Sequence, residues 1–328
     1  MRLLPVIALS LGIACPAVAG VNEVLDDHIL PSLSEFSVKT QALADAADRD
    51  CRPSALQPAF HDAFDAWIPV GDLRLGPSET GALSIAFWPD ARGFTGRTLS
   101  RLIADADLVV ESADAYAEVS IAARGLYALE MMLYDPEFST YEADSYSCAL
   151  TRAIASDMAL QAAGLSEAWL GDFAETLRSA GEEGNATFLD EDEALRAIYT
   201  QILSSLEFTT DQRLARPLGT FDRPRPARAE ARRSGRSLRN AVMASEAAHA
   251  LASALAERDL PEANAALQRV HDTAERVSDA AFQDITDPQA RLRVEALALA
   301  VEDLRRAIES EIGASLGIAP GFNAQDGD

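Results

Sequence analysis

The run Arg124-Gly125-Leu126-Tyr127-Ala128-Leu129-Glu130-Met131-Met132-Leu133-Tyr134-Asp135 sets one carboxylate, Glu130, among helix-forming apolar residues. A carboxylate in such surroundings is either neutral at a cost in free energy or held charged by a partner. Two kinds of partner fit: an arginine, whether Arg124 or one from a cluster downstream, or a ligand that the acid receives. Tyr127 precedes Glu130 by one helical turn, so a helix puts both on one face. Its phenol, with an ordinary pKa near about 10, is neutral at physiological pH. As a phenolate it suits a hard ferric ion; as a phenol it is a buried, hydrogen-bonded structural residue. Gly125 completes the pattern. An interior helical glycine costs about 1 kcal/mol relative to alanine, so its presence predicts close approach of another backbone or of a ligand.

A second candidate lies downstream. Between positions 213 and 239 the chain carries nine arginines and two acids, Asp222 and Glu230, although the formal net charge of the whole is -24. Guanidinium forks bind carboxylate or phosphate through paired hydrogen bonds, which makes this stretch an anion site. The alternative is that the arginines neutralise the acidic first half and hold the two halves together. Arg233 and Arg236 are the members placed to meet a ligand. Hydrolytic motifs are missing. There is no His-Glu-x-x-His, no Gly-x-Ser-x-Gly elbow and no phosphate-cradling glycine loop. The four histidines, His28, His61, His249 and His271, are far apart in sequence. His61 and Asp65 stand one turn apart and read either as a shared metal pair or as a surface pair.

The elements that must position these residues are helices. Apolar residues recur at helical spacing from Val21 to about Ala47, where Pro31 kinks or divides the run, and from Pro53 to Trp67, where Pro69 ends it. Residues 71–96 are rich in Gly and Pro and read as a long irregular connection, of the kind that is often functional when ordered. Helices are predicted over 98–110, from Ala113 through the Glu130 run, and over 142–163, 167–180, 191–206, 227–258, 261–283 and from Pro288 onward. In the last of these, Leu297, Val301, Leu304 and Ile308 form an apolar stripe. No stretch alternates with period two, so the fold class is all-α. Arg92-Gly93-Phe94-Thr95-Gly96-Arg97-Thr98-Leu99 and Arg233-Ser234-Gly235-Arg236-Ser237-Leu238 suggest a weak internal repeat.

Three stretches resemble the imelysin-like family, helical cell-envelope proteins that include iron-regulated proteins and an insulin-cleaving protease. Its signature is Gly-x-His-x-x-Glu; Gly125 and Glu130 match it, and Tyr127 stands at the His position. The others are Phe64-Asp65-Ala66-Trp67 through Arg74-Leu75-Gly76-Pro77 to Phe87-Trp88-Pro89-Asp90, and Arg228-Ala229-Glu230-Ala231-Arg232-Arg233-Ser234-Gly235-Arg236-Ser237-Leu238-Arg239-Asn240. The resemblance implies two helical bundles, residues 20–212 and 213–316, packed with a cleft between them; the tail over 317–328 reads from its own sequence as flexible. It implies that Arg74, Asp90, Arg124, Gly125, Tyr127, Arg233, Ser234 and Arg236 contribute to a ligand site, with Glu130 and Tyr127 able to contact iron or another metal ion. The function it implies is a binding protein for a small ligand or metal ion, tied to iron uptake and served by an envelope partner. A metal-dependent peptidase and a helical envelope interaction module are the alternatives, and the loss of the signature His counts against the peptidase.

Composition agrees with secretion. Arg2, the apolar run Leu3 to Ala14 and Ala17-Val18-Ala19 read as a signal peptide over 1–19, too short to span a membrane. Cys15 offers lipid anchoring as the less favoured alternative. Cleavage places the mature chain in the periplasm with Cys51 and Cys148, which are expected to pair there and to add about 4–5 kcal/mol of stability by closing a long loop. A pI of about 4.5 argues against nucleic acid and anionic membrane surfaces, which need basic patches.

Overall fold

The computed structural model describes residues 20–313. The expected signal peptide, Cys15 and the tail 317–328 lie outside the described residues. Those described are helical with no strand: α1 (Leu30–Arg49), α2 (Pro53–Gly71), α3 (Ser78–Ile85), α4 (Phe94–Asp105), α5 (Gly125–Tyr134), α6 (Tyr146–Ala168), α7 (Glu191–Phe208), α8 (Ser237–Ala256), α9 (Pro261–Ala274) and α10 (Pro288–Ile312). The all-α expectation holds, and no described helix is long and apolar enough to cross a membrane.

Helix α1 packs on both α2 and α6, α9 packs on α10, and α8 lies against both α2 and α7. One continuous core joins them, from Val21 and Phe36 through Phe60, Phe64 and Leu129 to Val294 and Ile308. A π-helical segment, Thr209–Ala215, continues α7 past residues 212 and 213. Cys51, between α1 and α2, is bonded to Cys148 in the first turn of α6, with Cα atoms 5.4 Å apart.

Several boundaries differ from those read off the sequence, each for a local reason. Pro69 does not end α2, which runs to Gly71 with Pro58 and Pro69 inside it. The connection 71–96 contains α3, whose Ala82 and Ile85 are buried. The expected helix from Ala113 is broken into Ala113–Ala117, a 3-10 turn Ile121–Ala123 and α5. The break lies at Gly125, the first residue of α5 and not an interior one, with φ at 70°. A Cβ built there would fall on the main chain of Ser84 and Ile85 at the end of α3. The close approach predicted for Gly125 is therefore to another backbone. Gly125→Ala combines a left-handed backbone with that overlap, so it is expected to lose about 3 kcal/mol of stability, read from the urea midpoint. Likewise α8 begins at Ser237, ten residues after the expected start at Ala227; Pro226–Arg228 forms a 3-10 turn and the chain then loops.

The weak repeat has a structural counterpart. Gly93 and Gly235 both have positive φ, 65° and 71°, and each lies just before a helix start, that of α4 and that of α8.

Candidate functional site

Glu130 is 2% exposed and its carboxyl lines a cavity of about 240 Å³. The walls come from four places: Trp88-Pro89-Asp90 after α3, Gly93, Thr95 and Gly96 at the start of α4, Tyr127, Glu130 and Met131 on α5, and the arginine-rich segment at Arg216, Arg228 and Arg233. The loop before α8 holds Glu130 from one side. Ser234 donates to its Oε1 from the backbone N–H at 2.9 Å and from Oγ at 2.8 Å. Its Oε2 has no hydrogen-bond partner among the described residues. Burial raises the Glu130 pKa, and the two Ser234 hydrogen bonds with Arg233 and Arg232 only partly offset this.

Linkage follows from that sign. A carboxyl whose folded pKa lies above its unfolded value favours the folded state at low pH, and that contribution is lost as pH rises through the folded pKa. Glu130→Gln keeps the acceptor for Ser234 and removes the titration. Its stability relative to the parent is expected to rise as pH climbs above the ordinary Glu value of 4.5, measured as urea midpoints across the pH range.

Tyr127 faces the cavity and stacks with Trp88 at 6.2 Å between ring centroids. Its hydroxyl donates to Glu230 Oε1 at 2.6 Å. Burial and the neighbouring Glu230 hold its pKa well above the usual tyrosine range, so it stays a phenol. Glu230, one of two acids in the arginine run, is a hub the sequence reading passed over. Its Oε2 accepts from Arg213 Nε at 2.9 Å and from Asn240 Nδ2 at 3.2 Å. Arg213 in turn makes a fork to Asp72, at 2.6 and 2.9 Å, and joins α2 to the end of α7.

The remaining predicted residues separate into those at the cavity and those elsewhere. Asp90 lines it, but its carboxylate is engaged: Oδ1 and Oδ2 accept from the N–H groups of Phe94 and Thr95 at 2.9 and 2.8 Å, capping α4. Arg233 lines it while paired with Asp135 at 2.5 Å. Ser234 acts through Glu130. Arg74 turns instead to the carbonyls of Gly71 and Leu73, at 2.5 and 3.1 Å, and closes the end of α2. Arg124 forks onto Asp157 of α6 at 2.9 and 2.7 Å. Arg236 is buried on the far side of the loop, against Asp65, His61 and Asn240 and over the Phe64 ring. Gly125 serves packing. The structure places these four away from the cavity lining for one physical reason: a guanidinium or a glycine in a tight core answers first to its nearest carboxylate, carbonyl or backbone. Arg216, Arg228, Trp88 and Met131 enter the site unforeseen, because they converge only through tertiary packing.

The donor set does not make a shell for a bare metal ion. Among the described residues no group of three or more His, Cys, Asp or Glu gathers in one place. Glu130 supplies one carboxyl, and the Tyr127 hydroxyl is committed to Glu230. His61 and Asp65, the pair one turn apart, are both bound to Arg236.

An all-α protein with a ligand-sized cavity over a buried acid is the class that this fold and site define. The family model described as Imelysin (Peptidase_M75) matches residues 29–308, and the chain belongs to the imelysin family. Among solved structures, an imelysin-like protein from Psychrobacter arcticum 273-4 superposes with a TM-score of 0.76 at 18% identity, over 97% of this chain and 100% of that one. A putative iron-regulated protein A precursor from Parabacteroides distasonis ATCC 8503 gives 0.64 at 14% identity, over 90% and 94%. At these identities the likeness is one of fold. Comparison with curated protein sequences gives no match.

Proposed function

We propose that this chain is a periplasmic binding protein of the imelysin family that serves iron or other metal uptake and receives its ligand in the cavity over Glu130. In this reading residues 20–212 and 213–316 act as two helical bundles and the cavity lies where their walls meet. The observation that carries it is the free Oε2 of a buried carboxyl facing an open cavity of about 240 Å³, a volume suited to a small ligand and too small for a folded partner. The Cys51–Cys148 disulfide supports an oxidising compartment. The link to iron is supported by the fold shared with a protein described as iron-regulated.

The test offers iron to the mature chain as a ferrous salt and as ferric citrate, then measures the metal retained after desalting. Stoichiometric retention, reduced at least tenfold in Glu130→Gln, is the expected result. No retention in either form, or equal retention in the variant, overturns the reading.

A further inference from the structure

The charges around the cavity do not suit a bare cation. Five ionisable side chains line it besides Tyr127: Asp90, Glu130, Arg216, Arg228 and Arg233. Asp90 is neutralised by the first N–H groups of α4, and Arg233 by Asp135. Glu130 is held by the N–H and hydroxyl of Ser234. Two guanidinium groups are then left over. Arg228, on the 3-10 turn at the rim, makes no side-chain hydrogen bond or ion pair among the described residues. Arg216, half-buried, bonds only the neutral Gln212 amide at 3.3 Å, and no acid. Burial and the nearby Arg228 depress its pKa, as expected of two cations facing one space without an anion between them. Two like charges that line one cavity repel each other unless an anion sits between them.

Part of the lining is apolar. Trp88 presents its ring beside Tyr127, and Met131 and Phe87 lie next to it. The geometry points to a small organic acid as the ligand of this cavity, its carboxylate between Arg216 and Arg228, its body against Trp88 and Met131, and a polar group at Glu130 Oε2. Guanidinium forks fit a carboxylate through paired charge-assisted bonds, and the aromatic wall gives the rest of the molecule an apolar surface. This deepens the proposed function and rests on its site. A metal would then enter as an organic-acid chelate, its ligand shell supplied by the acid, which resolves the mismatch between a metal-related family and a donor set too small to hold an ion.

The experiment titrates metal-free citrate and benzoate into the mature chain by calorimetry at moderate salt. The proteins are the parent, Arg228→Ala, the double variant Arg216→Ala/Arg228→Ala, and Arg223→Ala as a control outside the cavity. Arg228 has no partner to lose, so its variant should melt with the parent, which circular dichroism checks. Saturable binding of at least one acid is expected, about tenfold weaker in Arg228→Ala, abolished in the double variant and unchanged in Arg223→Ala. Absence of saturable binding, or equal affinity in parent and Arg228→Ala, overturns the inference. The two readings fail separately. Iron retention that depends on Glu130 without acid binding leaves the proposed function standing and removes the organic acid. Acid binding that depends on Arg228 without iron retention does the reverse.

Discussion

Arg213→Ala is expected to unfold in urea with a loss of about 3–5 kcal/mol, the effect of removing one member of a buried ion network. The Arg213 side chain is about 4% exposed and touches two carboxylates, Asp72 at 2.6 Å and Glu230 at 2.9 Å. Burial alone would lower its pKa, yet the two acids raise it above the usual arginine range. Without it both acids remain inside with too few donors: Asp72 keeps the Ser205 hydroxyl, and Glu230 keeps Tyr127 and Asn240. Their uncompensated desolvation dominates the loss, because a broken buried pair costs far more than an absent one. The Arg213→Met variant with Asp72→Asn and Glu230→Gln removes all three charges and should recover much of the stability. A single variant that unfolds within 1 kcal/mol of the parent, on the order of a surface pair, contradicts the network's role.

Reduction of Cys51–Cys148, or the double replacement by alanine, should lower stability by about 4–5 kcal/mol on the chain-entropy model. The bond joins positions 97 residues apart, so it closes a loop that includes α2 to α5 and every residue of the Glu130 run. Both sulfurs are fully buried. The effect is read as the difference between urea midpoints with and without reductant. A reduced protein that matches the oxidised one would mean that the unfolded chain gains little freedom when the loop opens.

Both expectations bear on what the sequence could disclose. Helix identity was legible because the apolar spacing is regular and because prolines stand at the first helical position of α2, α9 and α10, where their missing N–H is harmless. Proline was misleading at 69, where helix packing keeps the chain helical for two more residues. The Gly-x-Tyr-x-x-Glu run was legible as a site because a lone acid among apolar side chains has few other reasons to exist. Its loop partner Ser234 was legible through resemblance only.

The arginines were the hard part. Nine guanidinium groups in one stretch announce anion chemistry, yet the sequence gives no means of telling which ones the acids of the first half will claim. Asp65 takes Arg236 and Arg239, Asp135 takes Arg233, and Asp72 takes Arg213. Five arginines of the stretch remain, and of these Arg216 and Arg228 are the two that line the cavity, a placement that only tertiary packing discloses. Glu230 illustrates the same limit from the other side. As one acid among many arginines it read as incidental, and it proved to be the acceptor that fixes Tyr127, Arg213 and Asn240 together.

The most direct measurement is a crystal structure of the protein grown with ferric citrate. The account predicts ligand density in the cavity, touching Glu130 Oε2 and lying between Trp88 and Arg228, with Tyr127 still bonded to Glu230. Ordered water alone in that space, with the ligand bound elsewhere on the surface, would contradict it.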